Sequence, residues 1–192
     1  MKNYPDADGK MVWMSLKEIN QLIAAAGDTQ RTIGISLGAR CGLRSKEITE
    51  VTPTDIVDTE AGYRVRIWHG KGDKYRESPI PENLVHRIEA YSDVGQLEAD
   101  QSLVDCTPRT LERWVHRAGD RLRAETGDEG WKYVTPHDLR RSWGTLLVEA
   151  DVEPGIIMEW GGWEDWETFR EHYLGAYSMK KQKMEQQKVE WL

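Results

Sequence analysis

Hydrophobic residues first recur with a clear period at Leu16, Ile19, Leu22 and Ile23, which share one helical face behind a Ser15/Glu18 capping box. A helix is predicted from Ser15 to near Gly27. A second is expected from about Thr29 to Arg40, stopped by Gly42, and Ser45 restarts helical structure, leaving Arg44 in the turn between. The period then changes: Tyr63-Arg64-Val65-Arg66-Ile67-Trp68 alternates as a half-buried strand does, and Tyr75 to Ile80 returns antiparallel to it. Between them lies a Gly-punctuated hairpin, His69-Gly70-Lys71-Gly72-Asp73-Lys74, with two lysines at its tip. No helix follows its Gly-x-Gly pair, which argues against a nucleotide-binding loop.

Residues 82 to 91 read as a helix and 92 to 105 as a connector. Thr107-Pro108 opens the next helix, with Leu111, Trp114, Val115, Ala118 and Leu122 facing inward. After a loop from Gly127 to Gly130, Thr135 caps a helix running from Pro136 to about Ala150, and a short helix from Pro154 to Trp160 stops at Gly161-Gly162. A further helix begins around Asp165 with Trp166, Phe169 and Tyr173 at i, i+3 and i+7; Trp166 and Phe169 fit a buried aromatic stripe. The fold class is mainly α with a small antiparallel β-sheet (α+β). One domain over 15–177 follows a leader or linker remnant at 1–14. A polar, helix-prone tail at 178–192 follows, anchored by Met179, Met184, Val189, Trp191 and Leu192.

Composition narrows the setting. A chain of 192 residues suits one core. Cys41 and Cys106 have no paired spacing, no apolar run approaches the roughly 20 residues of a membrane span, and no secretory signal opens the chain, so a cytoplasmic protein is expected. The net charge of −7 argues at first against a polyanion partner. Distribution matters more than the sum: Arg109, Arg113, Arg117 and Arg121 recur at steps of four along one helix, the best sequence hint of a phosphate backbone partner.

Chemistry enters at Thr135-Pro136-His137-Asp138-Leu139-Arg140, where a His and an Arg share one face near a helix N-terminus, a position that stabilises anions. Asp138 reads as a cap. Arg44 occupies a similar place before the helix at Ser45, where it could instead pair with Glu47 across the first turn. The order of an Arg before a Glu-bearing helix, a hairpin Lys, a His-x-x-Arg helix start, and a Trp followed by a Tyr resembles the catalytic domain of the tyrosine recombinase (phage integrase) family. Gly42-Leu43-Arg44-Ser45-Lys46-Glu47-Ile48 is similar to its first arginine box and Gly70-Lys71-Gly72-Asp73-Lys74 to its lysine hairpin. Thr135 to Arg140 is similar to its second box, and Trp163 stands where members carry His or Trp.

The resemblance implies site-specific recombination through a 3'-phosphotyrosine, without metal, ATP or other cofactor, as in mobile elements and viruses. Arg44 and Arg140 would clamp the phosphate, Tyr173 attack, His137 assist the phenol, Lys71 protonate the leaving 5'-oxygen, Trp163 donate a hydrogen bond, and Glu47 support. Lys74, Arg76, Arg109, Arg113, Arg117 and Arg121 would face DNA. The implied partners are double-stranded DNA and further copies of the chain, four protomers on DNA that trade C-terminal segments, with no membrane. Two departures stand out. Tyr173 lies ten residues after Trp163 rather than the usual nine, with His172 in the usual slot and Tyr177 as second choice. There is no room before Ser15 for the family's N-terminal DNA clamp, so the chain is an excised catalytic domain, a minimal recombinase, or one that borrows a partner's grip. The rival classes are a non-catalytic DNA-binding module of the same fold and a type IB-like topoisomerase. A metal-dependent nuclease is disfavoured because the five His show no ligand spacing.

Overall fold

The computed structural model describes residues 2–3, 12–70, 72–170, 173 and 185–191. Two short strands, β1 (Lys2–Asn3) and β2 (Val12–Trp13), pair antiparallel ahead of α1 (Leu16–Ala24). The capping box forms as predicted: the Ser15 backbone donates to Glu18 Oε2 at 2.8 Å and Glu18 N–H donates to Ser15 Oγ at 3.3 Å.

The scaffold is organised around α2 (Thr29–Cys41), which is buried on almost every side. Its sequence has no single apolar face, and the reason is that it divides two cores. Ile33, Leu37 and Cys41 face a cluster containing Leu43, Ile48, Val65, Ile67 and the inner face of α4 (Glu82–Gly95). Ile35 and Ala39 face the other way, toward Ile19 and Leu22 of α1 and toward Val115, Ala118 and Leu122 of α5 (Pro108–Thr126). Helix α6 (Pro136–Glu149) packs along α2, with Leu139 in the second core. This pairing brings the C-terminal end of one helix beside the second turn of the other.

Helix α2 ends at Gly42, whose φ of +68° is the left-handed conformation that glycine adopts without strain. The chain then re-enters a helix at α3 (Ser45–Ile48), so Arg44 becomes an N-cap residue. The sheet has the order β3 (Ile56–Val57), β4 (Arg64–Ile67), β5 (Arg76–Pro79), all antiparallel, with Ile56 opposite Val65 and Ile67 opposite Arg76. The hairpin matches the alternation in the sequence, whereas β3 adds a strand of two residues, too short to show a readable alternation. Helix α4 also runs on to Gly95, beyond the expected end, and the loop expected from Gly127 to Gly130 leads into a 3-10 turn, Glu129–Tyr133, that buries Trp131.

Helices α7 (Pro154–Gly161) and α8 (Trp166–Phe169) close the described body. Phe169 is buried with Trp143 and Ile157, as the aromatic stripe requires, but Trp166 is 43% exposed. Trp166 is the first residue of α8, and its ring lies at the outer edge of the aromatic cluster, 6.3 Å from the centre of the Phe169 ring. The tail expectation lies largely outside the described residues. Within 185–191, Trp191 is exposed. Among the described residues no helix is long and apolar enough to cross a membrane.

Candidate active site

Glu47 is the hub of a buried charge cluster. Arg44 donates to it twice, from its backbone N–H (2.7 Å to Oε2) and from Nη1 (2.8 Å to Oε1). Arg76 reaches it from β5 as a fork, Nη1 to Oε1 at 2.8 Å and Nη2 to Oε2 at 2.7 Å. Burial alone would push the carboxyl up, but the hydrogen bonds and charge of Arg76, joined by those of Arg44, hold it down to about 2. The pairing of Arg44 with Glu47 that the sequence left as an alternative is therefore real. It leaves Arg44 Nη2 directed at the Gly162 carbonyl, 3.1 Å away.

Arg140 enters from α6 and is almost wholly buried. Its Nη1 donates to the Gly42 carbonyl, where α2 ends, and its Nη2 to the Gly161 carbonyl at 2.5 Å. The guanidinium lies 4.1 Å from the centre of the Trp163 ring, within cation–π range. Burial, then the nearby charges of Arg44 and Arg76, push Arg140 down to about 9, so it remains cationic at neutral pH. Three guanidiniums against one carboxylate leave the cluster two positive charges in excess, and the planar forks match a phosphate. Arg140 is destabilised by its like-charged neighbours, a cost that a bound anion would relieve.

The aromatic wall connects this cluster to Tyr173. Trp163 stacks on Trp143 with centroids 6.0 Å apart, and Tyr173 meets Trp163 edge-on at 4.9 Å and Phe169 at 5.0 Å. The Tyr173 ring rests against α6 at Gly144, where an added Cβ would come within 2.8 Å of Cε1. Tyr173 also acts on Arg140 through charge, favouring the guanidinium's protonated form. Asp138 caps α6 as expected, accepting from Thr135 N–H at 2.9 Å, and additionally pairs with Arg141 at 3.0 Å. His137 is the second residue of α6 and is exposed.

The remaining expected residues divide. Arg76, assigned to DNA by the sequence reading, is instead 7% exposed, with its fork on Glu47 and its Nε donating to the Trp160 carbonyl at 3.0 Å. The signal that could have found this is the alternation itself, since Arg76 is in phase with buried Ser78 and Ile80 and opposite buried Ile67. Lys74 is exposed and pairs with Glu164, joining the hairpin to the loop after α7. Beside it a cleft of about 570 Å³ opens between hairpin and α7, lined by Arg64, Lys74, Arg76, Trp160, Trp163 and Glu164 among others. Arg109, Arg113, Arg117 and Arg121 are all exposed on α5, and Arg121 Nη1 donates to the Ala25 carbonyl at 2.8 Å. Lys71, His172 and Tyr177 lie outside the described residues. Among the described residues no group of three or more His, Cys, Asp or Glu is arranged to hold a metal ion.

The phage integrase family model matches residues 12–179. The chain belongs to the phage integrase family. Within it, the chain is 30% identical to tyrosine recombinase XerA of Thermococcus kodakarensis over 148 residues, covering 76% of this chain and 52% of that protein. It is 27% identical to tyrosine recombinase XerD of Oceanobacillus iheyensis over 169 residues, covering 81% and 54%. The chain thus spans about half the length of the curated relatives it matches. The fold is shared with the crystal structure of XerA recombinase (TM-score 0.71, 23% identity, covering 96% of this chain and 66% of that one). It is also shared with the Tn1549 transposon integrase in complex with transposon right end DNA (TM-score 0.73, 16% identity, 97% and 68%).

Proposed function

We propose that this chain is the strand-cleaving domain of a site-specific DNA recombinase, extending over about residues 15–177. The observation that carries the reading is a continuous path of packed groups: Arg140 lies 4.1 Å over the Trp163 ring, whose centre lies 4.9 Å from that of Tyr173, beside an Arg44 held by Glu47. Family membership and relatives named tyrosine recombinases support it. So do neighbours of the same fold solved on DNA, the Tn1549 integrase and XerH bound to its difH substrate.

In this reading Arg44 and Arg140 bind the non-bridging oxygens of one phosphodiester and balance the charge that grows on them in the transition state. The Tyr173 hydroxyl oxygen attacks phosphorus, the bond from phosphorus to the 5'-oxygen breaks, and a 3'-phosphotyrosine and a free 5'-hydroxyl result. The phenol's ordinary pKa of about 10 means its proton must leave during attack; His137 is assigned to assist it, and Lys71 to protonate the departing 5'-oxygen. Trp163 would add an indole N–H donor and a rigid floor for Arg140. Because the phosphotyrosyl bond retains the diester's energy, a second 5'-hydroxyl reverses the attack without ATP. Exchange of partners implies several copies on one DNA, four in the full assembly, acting where chromosomal or mobile-element DNA is exposed in the cytoplasm. Lys74 and the exposed Arg109, Arg113 and Arg117 are assigned to the DNA backbone, while Arg121 is held against α1.

The test is covalent trapping on a nicked substrate at low salt in EDTA. The wild-type chain should form a denaturation-resistant protein-DNA adduct, and Arg140→Lys, which keeps the charge but loses the fork, should slow it by about 10²- to 10³-fold. Adduct formation that depends on added metal would refute the reading.

A further inference from the structure

Three consecutive carbonyls at the end of α7 each accept from a different arginine. Trp160 receives Arg76 Nε at 3.0 Å, Gly161 receives Arg140 Nη2 at 2.5 Å, and Gly162 receives Arg44 Nη2 at 3.1 Å. The C-terminal end of a helix carries partial negative charge, so this row offsets repulsion among three guanidiniums that share a single carboxylate. Gly162 has a φ of +64°, and an added Cβ there would come within 2.9 Å of Arg76 Cδ. The Arg76 side chain therefore runs directly beneath the turn that carries the Gly162 carbonyl. It is also the one arginine of the three that grips both counter-charges with its whole guanidinium: both Nη atoms on Glu47 and Nε on α7.

We propose that Arg76 is a positioning residue of this active site: it ties Glu47 to the end of α7 so that Arg44 and Arg140 face one phosphate, without contacting that phosphate itself. The proposal rests on the strand-cleaving reading above. Each nitrogen of the Arg76 guanidinium already donates inside the protein, and the residue is 7% exposed. Glu47, in turn, spends one oxygen on Arg44 Nη1 and the other on the Arg44 backbone, so any rotation of the carboxylate turns the Arg44 fork with it. The charged groups facing Glu47 are Arg44 from α3, Arg76 from β5 and, through charge, Arg140 from α6; the neighbouring end of α7 contributes carbonyls. Without Arg76, burial would be opposed chiefly by Arg44, and the Glu47 carboxyl would move up toward or above its ordinary range.

Single-turnover adduct formation across pH, alongside DNA affinity, tests this with the whole chain. Arg76→Met is expected to slow adduct formation on the order of 10²-fold while DNA affinity stays within about threefold, because misplacing a clamp costs rate rather than binding. Its acid limb should also move up toward the carboxyl range. Arg76→Lys restores charge without the fork, so its acid limb should return toward wild type while its rate stays below wild type. An Arg76→Met protein at wild-type rate overturns the proposal. So does a rate loss that tracks weakened DNA binding with an unmoved acid limb, which would make Arg76 a DNA contact. If the Met variant does not fold, the Lys variant decides: a slow rate at unchanged affinity supports positioning, and a wild-type rate overturns it. A wild-type chain that forms no adduct overturns the functional reading and this proposal together, whereas an active wild type with an indifferent Arg76 overturns the proposal alone.

Discussion

At the scale of single residues, the site rests on one buried carboxylate that serves two arginines. Glu47 has a carboxyl held below its ordinary value of 4.5, at about 2, so it stabilises the folded chain fully above that ordinary value. The contribution is lost as pH falls from about 4.5 toward 2. The shift corresponds to roughly 3 kcal/mol at about 1.4 kcal/mol per pKa unit. Glu47→Gln should therefore cost stability on that order at pH 7 in urea unfolding, and the gap between wild type and variant should narrow below about pH 4.5 and close only as pH approaches 2. A gap that stays constant over that range would mean the carboxylate's charge contributes nothing. Arg140 illustrates the opposite sign: burial and two like-charged neighbours lower it, a cost that a bound phosphate would relieve.

At the scale of elements, the geometry depends on where helices stop. Gly42 and Gly127 both end helices in the left-handed conformation, at φ +68° and +70°, but a Cβ at Gly127 meets open space whereas one at Gly42 would run into the Trp143 indole. Gly127→Ala should cost about 1 kcal/mol from backbone strain alone. Gly42→Ala should cost about 3 kcal/mol or more by chemical denaturation, because overpacking adds to the strain, and it should slow adduct formation by shifting the carbonyl that anchors Arg140. Equal costs at the two positions would refute the packing argument.

These stop and start signals are what the sequence announces most clearly. The capping boxes at Ser15 and Thr135, the glycine stops at Gly42 and Gly162, and the inward face of α5 are local chemistry, legible from a few neighbouring residues. Residues whose role depends on a distant partner are harder to read. Arg76 looks like a surface cation by type, and only the strand's alternation, combined with a buried Glu47 delivered by α3, turns it inward. Arg121 belongs to the basic stripe by spacing, yet the end of α1 takes its guanidinium. Trp166 has the spacing of a core residue, but as the first residue of α8 it lies at the outer edge of the aromatic cluster and stays exposed.

At the scale of the whole molecule, an acidic chain holds its excess positive charge in one small pocket and along α5. The chain covers about half the length of its curated relatives. Its own affinity for DNA should be weak and steeply salt-dependent, with Arg109→Gln, Arg113→Gln and Arg117→Gln together flattening a plot of log affinity against log salt. Every DNA phosphate that a substitution leaves without its arginine should reduce the slope by about 0.9. Nanomolar binding indifferent to salt would contradict this, as would a triple variant with an unchanged slope.

The central claim is that a tyrosine packed against Trp163 is the nucleophile of a metal-free phosphoryl transfer guided by Arg44 and Arg140. The most direct measurement is mass spectrometry of the protein-DNA adduct trapped on a nicked substrate in EDTA, after protease and nuclease digestion. The expected result is a nucleotide linked through a 3'-phosphate to Tyr173, and no adduct from Tyr173→Phe. A nucleotide mapped to Tyr177, or an adduct that persists in Tyr173→Phe, would contradict it.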